Sequence, residues 1–145
     1  MSLSLVSQTD PVLRTPCLPF KDWERKDISE LAEEMIETMF EERGVGLAAP
    51  QIGKSIRMMT MVDASHAPIV CINPEIVQAC NLVRFEEGCL SLPGVRVAKI
   101  RASEVVCKVQ DIFGKWQTLH LKGIPAICFQ HELDHLNGVL MIDNV

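Results

Sequence analysis

His131-Glu132-x-x-His135 contains the residues with the clearest chemical use in this chain. Residues four apart stack on one face of an α-helix, so both imidazoles can reach one metal ion. Glu132 stands about 100° round such a helix from His131. That places its carboxylate beside a metal-bound water rather than on the metal. Two ligands and an adjacent base are the parts needed to activate water. The competing reading is a pair of ordinary histidines, one capped or exposed. The neighbours argue against it: Ile127, Phe129, Leu133 and Leu136 lie on several sides, so the helix is expected to be largely buried. Two histidines buried one turn apart need partners, and a metal ion satisfies both.

A catalytic metal site usually takes three protein ligands and leaves a position open for water. His66 reads as a loop residue and His120 as the solvent face of a strand. Carboxylates are plentiful, and none is singled out by its setting. Cys89 is singled out, standing in Glu86-Glu87-Gly88-Cys89-Leu90-Ser91-Leu92-Pro93-Gly94, a glycine-flanked loop with two acids beside it. The other cysteines, at 17, 71, 80, 107 and 128, form no C-x-x-C pair, and most have apolar neighbours. Such thiols behave as small buried hydrophobes. With no secretory signal in view, a reduced, cytosolic setting is expected.

The elements that must position these groups follow from periodicity. Residues 27 to 43 read as a helix, with Ile28, Leu31, Met35 and Met39 as the apolar stripe and an acidic, solvated opposite face. Asp27 or Ser29 can cap its start, and Gly44 suits its stop. The following Gly44-Val45-Gly46-Leu47-Ala48-Ala49-Pro50-Gln51-Ile52-Gly53, taken alone, reads as a helix stop and turn. It is neither a P-loop nor a dinucleotide fingerprint. Strands are expected at 56–62, 69–72, 95–100, 105–110 and 116–121, with a break at Asn73-Pro74 and a hairpin turn at Asp111-Ile112-Phe113-Gly114. Pro125 suits the first turn of the histidine helix. Residues 1 to 24 read as irregular and 139 to 145 as a short tail. The fold class is therefore α+β, with antiparallel strands packed around a central HExxH helix and a second, N-terminal helix. At 145 residues one domain spanning 1–145 is expected. The net charge of −5 disfavours a basic surface for nucleic acid or anionic membrane, and no apolar run is long enough to span a bilayer.

Three stretches together resemble the signature motifs of the peptide deformylases. They are Gly44-Val45-Gly46-Leu47-Ala48-Ala49-Pro50-Gln51, Glu87-Gly88-Cys89-Leu90-Ser91 and Gln130-His131-Glu132-Leu133-Asp134-His135, in the family's order. Asp10-Pro11-Val12-Leu13-Arg14 is similar to the family's N-terminal segment, so the likeness covers nearly the whole chain. The resemblance implies hydrolysis of the N-formyl group from formyl-methionyl nascent peptides. It implies Cys89, His131 and His135 as metal ligands, with Fe(II) as the native ion and Zn, Ni or Co as possible occupants. Glu132 is implied as general base and then acid, and Gln51 with the backbone N–H of Leu90 as donors to the formyl oxygen. Val45, Gly46, Glu87, Arg96, Ile127 and Cys128 are implied on the substrate side: Gly46 on its backbone, Val45, Ile127 and Cys128 about the methionine, Arg96 at the mouth. A monomer in the cytoplasm is expected, in a bacterium or in the host of a virus that encodes it.

The resemblance has one departure, since only six residues follow Val139 where typical bacterial members carry a longer extension. That extension helps bind the ribosome, so ribosome docking is not expected. The short stretch between Val62 and Glu86 is similar to the common bacterial arrangement. Two other function classes are weighed against this one. A zinc metallopeptidase of the HExxH type takes its third ligand downstream, where Asp143 is the one candidate carboxylate. A metal-stabilised binding module would need a fourth protein ligand.

Overall fold

The computed structural model describes residues 3–23 and 25–143. Met1, Ser2, Glu24, Asn144 and Val145, which belong to the expected irregular start and short tail, lie outside the described residues. The chain runs through a 3₁₀ turn (Pro11–Arg14), α1 (Ile28–Glu41), β1 (Gly46–Ala48), a second 3₁₀ turn (Ala49–Ile52), β2 (Met58–Val62), β3 (Pro68–Cys89), β4 (Leu92–Gln110), β5 (Trp116–Lys122) and α2 (Ile124–Leu136). The five strands form one sheet in chain order, each antiparallel to the next. Two helices and one antiparallel sheet make an α+β fold, as the pattern predicts.

β2 explains how both helices attach. Successive side chains of a strand point to opposite faces. Met58 and Val62 join Leu31, Met35 and Met39 of α1 in one apolar cluster. Met59 and Met61 join Phe129 and Leu136 of α2 in the other. The sheet at β2 is thus covered on both sides, and all five of its residues are buried. A strand buried on both faces reads as a continuous apolar run rather than an alternating one. α2 packs against β1, β2, β4 and β5.

The long hairpin of β3 and β4 differs most from expectation. The strands at 69–72, 95–100 and 105–110 belong to two much longer ones. Asn73-Pro74 falls at a bulge where the ladder shifts between Ile72 and Glu75, and pairing then resumes. A bulge absorbs a proline that a regular ladder would reject. Asn73 takes a left-handed backbone, φ 50°, and its side chain bonds Phe20 N–H at 2.7 Å, Phe20 C=O at 2.9 Å and Gln110 Oε1 at 2.7 Å. Glu75–Arg84 is exposed. Its backbone hydrogen bonds, rather than burial, keep it extended. The stretch Gly44–Gly53, read as a helix stop and turn, contains β1 and the second 3₁₀ turn.

Residues 14–17 meet residues 136–143 at the C-terminus of α2. Cys17 N–H donates to Leu136 C=O at 2.8 Å. Arg57 reaches the carbonyls of Cys17 and Leu136 and the Asn137 side chain. Gly138 has φ +75°, and a Cβ there would stand 2.7 Å from the Arg14 carbonyl oxygen. Arg14 in turn pairs with Asp143 at 2.5 Å. Among the described residues no helix is long and apolar enough to cross a membrane.

Candidate metal centre

Gly123 precedes α2, its φ of +67° turning the chain out of β5, and Pro125 occupies the first turn of the helix. Along it His131, Glu132 and His135 are all buried. Cys89 arrives from the end of β3, where the ladder shifts between Glu87 and Cys89 just before the turn into β4. Ligand atoms of Cys89, His131 and His135 all lie within 4.8 Å of one another. Cys89 Sγ is 3.3 Å from His135 Nε2. A tetrahedral ion with ordinary bond lengths to sulfur and nitrogen separates two such ligands by about 3.6 Å.

The carboxylate behind the site fixes which nitrogen is free. Glu87 Oε1 stands 2.9 Å from His131 Nδ1, so Nε2 is the nitrogen left to face a metal. This carboxylate–histidine pairing orients metal-bound imidazoles generally. Glu87 is itself clamped by Arg101, through Nε at 2.5 Å and Nη2 at 2.9 Å, and Arg101 Nη1 reaches Asp134 at 2.8 Å. Burial alone would raise the Glu87 carboxyl, but the hydrogen bonds from Arg101 and His131 outweigh it and hold it at about 2. Burial disfavours a charged His131, yet its bonds to Cys89 and Glu87 lift it to about 10. Burial, then the charges of His131 and Arg101, push His135 down to about 3.

Among the described residues two buried side-chain polar atoms have no hydrogen-bond partner, Glu132 Oε1 and His135 Nδ1. Burial, the largest effect, raises Glu132 to about 7. Its other oxygen lies against Gly46, where a Cβ would stand 2.6 Å from both Glu132 Oε2 and Cys128 Sγ. A thiolate, two imidazoles and an unpartnered carboxylate beside them fit a divalent transition metal. Asp143, the third ligand of the peptidase alternative, is bonded instead to Arg14 and to Leu140 N–H.

Gln51 is buried and its carboxamide is oriented at both ends. Oε1 accepts from Ala48 N–H at 2.8 Å, and Nε2 donates to Ser91 Oγ at 3.0 Å with Cys89 Sγ at 3.7 Å. Leu90 lies in the turn beyond Cys89, and its side chain abuts Gly44, where a Cβ would meet Cδ1 at 2.7 Å. A cavity of about 510 Å³ opens over these groups. Val45, Gly46, Gln51, Glu87, Cys89, Leu90, Arg96, Cys128, His131 and Glu132 line it. Ile127 does not: it is buried outside the lining. On α2 it stands three residues after Ile124 and four before His131, so it shares their side of the helix.

A sequence model of the polypeptide deformylases matches residues 2–145. The chain belongs to the polypeptide deformylase family. It is 46% identical over 134 residues to the peptide deformylase of Dictyoglomus thermophilum, covering 92% of this chain and 86% of that one. The crystal structure of the peptide deformylase from Thermotoga maritima superposes with a TM-score of 0.94 at 40% identity, covering 100% and 98% of the two chains. The Met-Ala-Ser-bound peptide deformylase of Acinetobacter baumannii gives 0.92 at 31% identity, covering 100% and 99%. This chain is thus built as an enzyme of the deformylase family, with the family's α+β fold.

Reading the deformylase motifs from sequence misses Arg101, which sits among polar residues mid-strand, and gives Ser91 no role. The β3–β4 hairpin brings Arg101 within reach of Glu87, and the meeting of its tip with the second 3₁₀ turn brings Ser91 to Gln51. The exposed Cys80 departs from the buried pattern of Cys17, Cys71, Cys107 and Cys128. His66 and His120 are exposed, as expected of loop and strand-surface residues.

Proposed function

We propose that this chain removes the N-formyl group from the formyl-methionine of nascent polypeptides, as one catalytic domain spanning 1–145. The observation that carries the reading is the meeting of Cys89, His131 and His135 beside the buried, unpartnered oxygen of Glu132. Cys89 Sγ and the Nε2 atoms of the two histidines would hold a divalent ion; a thiolate with two imidazoles suits Fe(II) or Zn(II). Bound there, the ion acidifies a water molecule and draws electron density from the formyl carbonyl.

Glu132 takes the proton of the attacking water. The water oxygen bonds to the formyl carbon, the carbon–nitrogen bond breaks, and Glu132 returns the proton to the departing amine nitrogen. Formate and a free N-terminal amine result. As the carbonyl carbon becomes tetrahedral, negative charge grows on its oxygen. The Gln51 Nε2 and the Leu90 backbone N–H would donate to it, and such donors strengthen as charge develops. Glu87 keeps His131 in the tautomer with Nε2 free. Gly46 leaves room for the backbone of an extended peptide next to Glu132, and Val45 and Cys128 form the wall available to a methionine side chain. The Met-Ala-Ser held by the Acinetobacter relative is the peptide left when formate is removed from formyl-Met-Ala-Ser, which supports this substrate class.

The test is formate release from formyl-Met-Ala-Ser by anaerobically prepared, Fe(II)-loaded protein. Rapid release that disappears in Glu132→Ala, with the metal still bound, is the expected result. A folded, metal-loaded protein that releases none refutes the assignment.

A further inference from the structure

We propose that Arg43 and Arg96 make the mouth of this cavity selective for peptides with an acidic side chain shortly after the formyl-methionine. The inference rests on the hydrolytic reading above and names its substrate class more narrowly. Arg43 ends the exit from α1 directly before Gly44. Its backbone is left-handed, φ 59°, and pinned by its own N–H to Phe40 C=O at 3.1 Å and by Gly44 N–H to Met39 C=O at 2.9 Å. Residues other than glycine rarely adopt that backbone, and here it sets Arg43 in the cavity lining. Arg96 enters the same lining from β4. Its stem crosses Gly88, where a Cβ would lie 3.5 Å from Arg96 Cδ and 3.9 Å from Nε.

Neither guanidinium has a carboxylate within ion-pair distance among the described residues. Arg96 makes one long hydrogen bond, 3.5 Å, to the Glu86 carbonyl. Three acids line the cavity with them. Glu87 is committed to Arg101 and His131, and Glu132 is buried at the floor. Glu86 is exposed at the rim. Glu41 and Glu42 precede Arg43 in the chain but stay outside the lining. The protein as a whole carries −5, so two unpaired arginines at one opening depart from the general surface. A planar guanidinium without a partner can take a carboxylate through two parallel hydrogen bonds.

Formyl-Met-Ala-Asp-amide and formyl-Met-Ala-Asn-amide differ at the third side chain by charge and almost nothing else. Amidation removes the terminal carboxylate from both. With the Fe(II)-loaded protein at low ionic strength, kcat/KM for the Asp peptide is expected to exceed that for the Asn peptide about three- to tenfold, the range for one or two exposed charge pairs. The ratio falls toward one near 1 M salt, where the screening length is about 3 Å. Arg43→Glu brings the ratio to one or below. Equal turnover of the two peptides at low salt, or an Arg43→Glu protein that keeps the Asp preference, overturns the assignment while leaving the hydrolase reading intact. Formate release from neither peptide overturns the hydrolase reading itself, and this selectivity with it.

Discussion

Replacing Arg101 with Met tests whether the groups behind His131 form one ionic unit. The Arg101 and Glu87 side chains are 9% and 3% exposed. Removing the guanidinium leaves the buried carboxylate with His131 alone, short of a full charge partner, which costs up to roughly 3–5 kcal/mol. The acidity of Glu87 gives a second measure. Its carboxyl is held at about 2, against 4.5 for a free group. At about 1.4 kcal/mol per unit that difference is worth about 3 kcal/mol, shared between Arg101 and His131. A carboxyl lowered by folding contributes stability that is complete above about pH 4.5 and is lost as the pH falls toward 2. Urea unfolding at pH 7 therefore reads the full effect. With a slope near 2 kcal/mol per molar urea, the midpoint should drop by about 2 M. Adding Glu87→Gln to Arg101→Met removes the stranded charge and should recover about half of the loss. A midpoint shift under about 0.5 M, or a double variant no more stable than Arg101→Met, refutes the ionic-unit argument.

Gln51→Ala should lower kcat on formyl-Met-Ala-Ser by about 10²–10³ with little change in KM, as for other lost oxyanion donors; equal losses in kcat and KM-derived affinity would speak for a packing role instead. Glu132 works as a base only when ionised, and burial holds it near 7. Activity is thus complete above that pH and lost as the pH falls through it, and a bound cation draws this limb to lower pH; a profile that rises on acidification contradicts the assignment of the base. Gly46→Ala introduces a methyl group 2.6 Å from Glu132 Oε2 and Cys128 Sγ. Formate release should fall at least tenfold because the carboxylate must shift, a prediction that wild-type turnover by this variant would end. Metal affinity of Glu87→Ala should weaken about 10–100-fold through the loosened His131, read by competition with a chelator.

The sequence makes the helix legible because its chemistry is local. His131 and His135 are four apart on one helix, and the apolar residues around them, Ile127, Phe129, Leu133 and Leu136, announce burial. Cys89 is legible for a different reason, since a glycine-flanked cysteine after two acids is an unusual setting. What stays hidden depends on pairing across distance. Gln78 to Arg84 alternates no apolar face, so nothing local reveals that it extends the hairpin. Arg101 lies in a polar stretch that reads as a gap between two strands; its ladder partner is Val83, yet its side chain reaches Glu87, four residues further along β3. Gly46–Ala48 is too short to display a period.

The fastening of Arg14 and Cys17 onto the end of α2 ties the site to the timing of synthesis. Every strand precedes α2 in the chain, and the helix is finished only when Leu136 meets Cys17 and Gly138 meets Arg14. Chains emerge N-terminus first and fold in units as they are made. The contacts of Arg14 and Cys17 with α2 therefore form only after the segment that carries the histidines has been made. A fusion or trim at residues 14–17 would then strike the registration of His131 and His135, although none of those residues touches the cavity.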